Sequence, residues 1–102
     1  MAAISFDVKR SGIITVSLPT VMQSATGGRR EIELCSGTVE QALGGLIETY
    51  PDLLPRLFTE QHQIHRFVNV YLDNDDIRFL QGLDTPVRPG QQLTILSAIA
   101  GG

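Results

Sequence analysis

An α+β fold, with one mixed sheet wrapping a single main helix, is what the 102 residues predict. Three observations carry it. A pair of β-branched, alternating stretches precedes one amphipathic helical stretch. Further strand-like runs follow that helix, and the last of them feeds directly into a terminal Gly-Gly. Strands and helix are grouped rather than regularly alternated, which favours a layered α+β arrangement over a parallel α/β sheet.

The first strand is read over 13–18, where Ile13, Ile14, Thr15, Val16, Ser17 and Leu18 largely alternate and Pro19 ends the run. Thr26-Gly27-Gly28 punctuates a long connection. A second strand follows near Arg30–Cys35, with Ile32 and Leu34 on one face. Ser36-Gly37-Thr38 opens the helix, Thr38 serving as cap and Gln41 as its reciprocal partner. Val39, Ala42, Leu43, Leu46, Ile47 and Tyr50 make a single apolar stripe, and Pro51 stops the helix. Asp52 to His65 is a long connection with a short helical turn around Leu53–Phe58. Phe67–Leu72 reads as the third strand, with Val68, Val70 and Leu72 sharing a face. Asp73–Asp76 reads as a polar turn, Ile77–Phe79 as a short strand and Gly82–Gly90 as loop. Gln92–Ser97 is the last strand.

This order, two strands, helix, then three strands, is that of the β-grasp fold, in which the last strand lies centrally and parallel to the first. The chain divides accordingly into an N-terminal extension over 1–12, expected to lack order, a β-grasp domain over 13–97 and a tail over 98–102. Ile4, Phe6 and Val8 alternate, so an added edge strand is the other reading of the extension. Five extended residues reach about 17 Å, enough to enter a partner's pocket. Glycine is entropically costly to order, and here its advantage is access. Without a Cβ, Gly101 and Gly102 can thread a narrow channel and present the terminal carboxylate to another enzyme.

Length and composition fit one globular domain with a modest core: 42% of residues are hydrophobic and 19% charged. A net charge of −3, with basic residues scattered, argues against nucleic acid or anionic membrane as a partner. The longest apolar-leaning run, 13–22, is too short to span a bilayer, and no secretory signal is expected. The single cysteine, Cys35, fits a reducing compartment, so a cytoplasmic location is expected. No catalytic constellation and no metal site are expected. His62 and His65 are spaced to share a helical face but lack a third ligand. His65 reads better as a packing or hydrogen-bonding residue where a strand begins, and Cys35 as a small buried or semi-exposed side chain. Asp75 and Asp76 sit in a solvated run with no argument for a raised pKa. Gly27-Gly28 is turn chemistry, because no helix starts immediately after it.

Several segments together resemble the ubiquitin-like sulfur carriers of the MoaD and ThiS family. They are Ser17-Leu18-Pro19-Thr20, Thr26-Gly27-Gly28, His65-Arg66-Phe67-Val68-Asn69-Val70-Tyr71, Asp76-Ile77-Arg78-Phe79 and Thr94-Ile95-Leu96, followed by Ala98-Ile99-Ala100-Gly101-Gly102. The Gly-Gly end marks the superfamily. The His-Arg-Phe-Val-Asn segment and the ending after Thr-Ile-Leu are similar more narrowly to the CysO-type carriers of cysteine biosynthesis. The resemblance begins near Ile13 and gives Cys35 no role.

What the resemblance implies is chemistry at Gly102. A terminal carboxylate is ionised at neutral pH and is a poor electrophile. An E1-like partner would use ATP to form a glycyl adenylate, and a sulfur donor would displace AMP to leave a thiocarboxylate. In the CysO-type branch a PLP-dependent cysteine synthase accepts that sulfur, and a metallopeptidase releases the product. The carrier itself would be no enzyme and would hold no cofactor, acting as a monomer that its partners handle. Ala98, Ile99, Ala100 and Gly101 would occupy the partner's channel. Ile99 either anchors the tail in an apolar groove of the partner or packs back on its own sheet. The alternatives are the small subunit of molybdopterin synthase, a ubiquitin-like modifier joined to lysines, and an interaction domain with an inert tail.

Overall fold

The computed structural model describes residues 12–98. Its strands are β1 (Ile13–Ser17), β2 (Glu31–Cys35), β3 (Gly37–Thr38), β4 (Val68–Leu72), β5 (Asp75–Asp76), β6 (Pro86–Val87) and β7 (Gln92–Ser97). The helices are α1 (Val39–Thr49) and the single turn α2 (Leu54–Leu57). Five strands form one sheet in the order β2-β1-β7-β4-β5, and β3 pairs with β6 in a separate two-stranded ribbon. β7 is central. It runs parallel to β1, with Val16 opposite Leu93, and antiparallel to β4, with Val70 opposite Ile95. The β-grasp topology read from the sequence is therefore the one observed, with the final strand embedded in the middle of the sheet.

α1 forms where its pattern places it. The Thr38 hydroxyl accepts the Gln41 N–H, and the Gln41 side-chain oxygen accepts the Thr38 N–H, so two otherwise orphaned donors are satisfied. Val39, Ala42, Leu43 and Leu46 are buried against the sheet, with Ile47 and Tyr50 half-buried at the stripe's margin. The opposing layer is supplied by Ile14, Val16, Ile32, Val68, Val70, Leu93 and Ile95. Leu53 and Leu57, fully buried, close the core beneath the long connection.

Three segments depart from the sequence reading. Asp73–Asp76 is expected as a turn and Ile77–Phe79 as a strand, but Asp75–Asp76 forms β5 and Ile77–Phe79 a 3₁₀ turn. The hairpin loop is only Asp73-Asn74, with Asp73 at φ 54°. The reason lies in Asp76, whose carboxylate accepts the Arg78 N–H and caps the turn, diverting the chain from the ladder. The stretch read as loop over Gly82–Gly90 contains a 3₁₀ turn at Gly82–Asp84 and β6, which pairs with Gly37 and Thr38 just ahead of α1. The first connection likewise contains a 3₁₀ helix over Thr20–Thr26, ended by Gly27 in the left-handed conformation at φ 68°. The readings of residues 1–11, including the alternation of Ile4, Phe6 and Val8, lie outside the described residues.

Candidate functional site at the root of the C-terminal tail

The ladder between β4 and β7 determines where the tail leaves. The Ala98 N–H donates to the Phe67 carbonyl at 2.7 Å, and at the other end the Asp73 N–H donates to the Gln92 carbonyl at 2.8 Å. Odd-numbered residues of β4 therefore turn their main-chain groups toward β7. Ala98 is the last described residue and is exposed, one position beyond the end of β7. Of the expected tail, Ile99, Ala100, Gly101 and Gly102 lie outside the described residues.

The segment before β4 braces this root. The His65 ring stacks on Phe67 with centroids 4.7 Å apart and planes 14° apart, while its Nε2 lies 2.9 Å from the Pro55 carbonyl oxygen. The His65 N–H donates to Leu57, and the Val68 N–H to His65. The Arg56 guanidinium donates to the Val21 carbonyl at 3.0 Å, which ties the first connection to α2. Together these place a cleft of about 300 Å³ beside Ser97, lined by Val21, Met22, Pro55, Arg56 and Phe67. His65 is thus the packing and hydrogen-bonding residue expected. His62 is in a loop at φ 63°, so the helical face that its spacing to His65 would allow is not formed. Cys35 is exposed at the end of an edge strand, more open than the buried or semi-exposed side chain expected, because its position on β2 points away from α1 with no strand beyond it.

The sheet face turned away from α1 forms the second part of the site. Residues opposite one another in the register share that face: Glu31, Ser17, Thr94, Tyr71 and Asp76 form one row, and Leu96 lies opposite Asn69. Leu96 is 46% exposed. Arg78 spans the edge of the face. Its Nε donates to both Asp76 carboxylate oxygens at 3.2 Å, and its Nη2 donates to Asp76 Oδ2 at 2.7 Å and to Asn69 Oδ1 at 3.0 Å. The hydrogen bonds from the Arg78 side chain, reinforced by its main-chain N–H, hold the Asp76 carboxyl below the ordinary carboxylate value. Asp76 therefore stays a carboxylate at neutral pH and is unsuited to act as a general acid. Sequence reading missed this network because alternation treats 77–79 as a strand and leaves Asp76 in the polar turn before it. The visible signal is an aspartate two residues before an arginine, a capping and pairing geometry for a tight turn.

No described helix is long and apolar enough to cross a membrane. Among the described residues no group of three or more His, Cys, Asp or Glu side chains gathers in metal-binding geometry.

Comparison with known proteins adds the following. The ThiS family model matches residues 16–102. Sulfur carrier protein CysO of Mycobacterium tuberculosis is 36% identical over 91 residues, covering 87% of this chain and 98% of that one. A chain in the crystal structure of the Amycolatopsis orientalis BexX/CysO complex is 39% identical with a TM-score of 0.80, over 87% of this chain and 99% of that one. The small archaeal modifier protein 1 of Methanosarcina acetivorans is 25% identical with a TM-score of 0.79, over 89% and 97%.

Proposed function

The chain belongs to the ThiS family, and from that premise we propose that it is a CysO-like sulfur carrier whose C-terminal Gly102 is the reacting residue. The observation that carries this reading is the placement of β7. A strand held on both sides in the centre of the sheet runs within one residue of the exposed Ala98. The body is thereby a rigid handle, and whatever acts on the terminus can pull and turn it without unravelling the fold.

In this reading an E1-like enzyme binds ATP, and a Gly102 carboxylate oxygen attacks its α-phosphorus. Pyrophosphate leaves, and the acyl carbon, now bonded to AMP, becomes electrophilic. Hydrosulfide from a donor attacks that carbon, AMP leaves with the bonding pair, and a thiocarboxylate remains. The thiocarboxylate is nucleophilic at sulfur and is presented to an acceptor enzyme, a PLP-dependent cysteine synthase in the cysteine branch, with a metallopeptidase releasing product. ATP and the acceptor's cofactor belong to the partners. Ala98, Ile99, Ala100 and Gly101 occupy the partner's channel, small side chains flanking one apolar anchor. The likeness to a chain crystallised with BexX supports work in complexes with other proteins.

The test is intact and peptide mass spectrometry after incubation with ATP, the host E1-like enzyme and a sulfide source. Replacement of one oxygen by sulfur is expected in the C-terminal peptide. Localisation matters because oxidation of Met1 or Met22 adds nearly the same mass. Deleting Gly102 should abolish the exchange and leave the melting temperature nearly unchanged, since the last residues of a domain generally contribute little to stability. Sulfur exchange on the truncated chain would overturn the assignment of the reacting atom. Isopeptide adducts on lysines of other proteins would favour a modifier, the reading that the likeness to the archaeal modifier protein supports. Sulfur transfer to a pterin precursor would favour molybdopterin synthesis.

A further inference from the structure

The cleft of about 300 Å³ beside Ser97 has apolar walls and one cation. Val21, Met22, Pro55 and Phe67 supply the walls, and Arg56 is the charged residue that lines it. Two ties hold these walls in place. The Arg56 guanidinium donates to the Val21 carbonyl at 3.0 Å, and His65 both stacks on Phe67 and lies 2.9 Å from the Pro55 carbonyl oxygen. Val21 and Phe67 are half-buried and Pro55 is exposed, so the cleft opens to solvent.

The strand that ends beside it selects the occupant. Leu93 and Ile95 of β7 are buried toward α1, and Ser97, the next residue of that face, lines the cleft. The Ala98 N–H still donates to the Phe67 carbonyl, so ladder geometry persists through that residue. With a period of two, the next position on the cleft side is 99. The sequence places Ile99 there, the one large apolar residue beyond Ser97. Charge agrees. The Arg56 side chain contacts only the neutral Val21 carbonyl among the described residues, and in the sulfur-carrier reading the charge on the tail is the Gly102 carboxylate. Three residues beyond Ile99 reach about 10 Å, enough to bring that carboxylate across to the guanidinium.

We propose that this cleft is the resting berth of the chain's own tail: in the free carrier Ile99 seats against Val21, Met22 and Phe67, with the Gly102 carboxylate drawn toward Arg56. The functional consequence rests on the sulfur-carrier reading. Ile99 then has two successive addresses, its own body between encounters and the partner's channel during reaction. The activating enzyme binds only the fraction of carriers whose tail is lifted, and its apparent affinity is reduced by that fraction.

The contact is tested by methyl NMR on the full chain, which needs no partner enzyme. Nuclear Overhauser contacts are expected from the Ile99 δ methyl to the methyls of Val21 and Met22, and Ile99→Ser should shift the Val21, Met22 and Phe67 resonances. Absence of those contacts, with the cleft resonances unmoved by Ile99→Ser, overturns the proposal and leaves the carrier reading standing. Contacts that appear only between differently labelled chains in a mixed sample assign the cleft to a neighbour's tail, and also overturn it. The consequence is tested by pyrophosphate release from the host E1-like enzyme as a function of carrier concentration. Val21→Glu puts a carboxylate beside Arg56 and a charge in the apolar cleft. It should lower the half-saturating concentration about two- to tenfold, with the maximal rate within about twofold. An unchanged or raised half-saturating concentration, in a variant whose melting temperature is preserved, overturns the competition between berth and channel. No turnover by the parent chain sinks the carrier reading, and the NMR contacts then decide the berth independently.

Discussion

Asp76 works on both sides of a short turn: its Oδ1 accepts the Arg78 N–H at 2.8 Å, and its Oδ2 receives the guanidinium at 2.7 Å. Both interactions are stronger with the ionised form, so its pKa is lower in the folded chain than in the unfolded one. As pH falls past about 4, the unfolded chain takes up a proton that the folded chain refuses. The stability contributed by Asp76 is therefore complete above that value and is lost as pH drops through the folded pKa. Asp76→Asn should melt below the parent at pH 6. The difference should close as pH is lowered below about 4 and narrow at high salt, since Arg78 is largely exposed. Thermal melts across pH 2–6 check this, and a gap that persists at the acid end would contradict it. In the sequence, the residues of this turn look like a strand because Ile77 and Phe79 alternate. The competing local hydrogen bond becomes visible only when Asp76 and Arg78 are read as a pair.

At the scale of elements, what was legible depended on length. The eleven residues of α1 span enough turns for a stripe, a capping box and a stop to agree, and the structure has all three. Two-residue strands such as β3, β5 and β6 cannot show periodicity, and their pairing follows from tertiary position: the Val39 N–H at the start of α1 donates to Thr85, just ahead of β6. The 3₁₀ helix over Thr20–Thr26 was similarly invisible between Pro19 and Gly27. α1 also carries a correctable weakness. Gly44 is exposed in mid-helix, and a Cβ there would meet nothing within 4 Å. Gly44→Ala should stabilise the chain by about 1 kcal/mol, raising the melting temperature by roughly 4–8 °C. Thr38→Ala should cost about 1 kcal/mol through loss of the cap. Gly27→Ala should also destabilise, since its φ of 68° disfavours a side chain. Thermal denaturation of the three variants separates these effects, and an unstable Gly44→Ala would show that the glycine answers to something other than helix propensity.

Across the whole molecule, strand order and tail placement belong together. Composition and periodicity supplied the elements, but the central position of β7 came from matching their order and the Gly-Gly ending to a known topology. The tail's residues beyond Ala98 follow a backbone whose amides are bonded in the middle of the sheet. If that anchorage is what makes the body a handle, resistance to opening should be greatest in β7 and its neighbours and least at the peripheral turns. Hydrogen exchange should find the slowest amides in β1, β4 and β7, exchanging only through global unfolding. The Gly82–Asp84 turn and the β3–β6 ribbon should open locally and sooner. Leu93, fully buried between α1 and the sheet, tests the energetic side. Leu93→Ala should cost about 2–5 kcal/mol and accelerate exchange throughout the sheet by a common factor. A gradient running the other way, with β7 amides opening before the flanking strands, would mean that the terminus is joined to a yielding element, and the mechanical basis for a carrier would be lost.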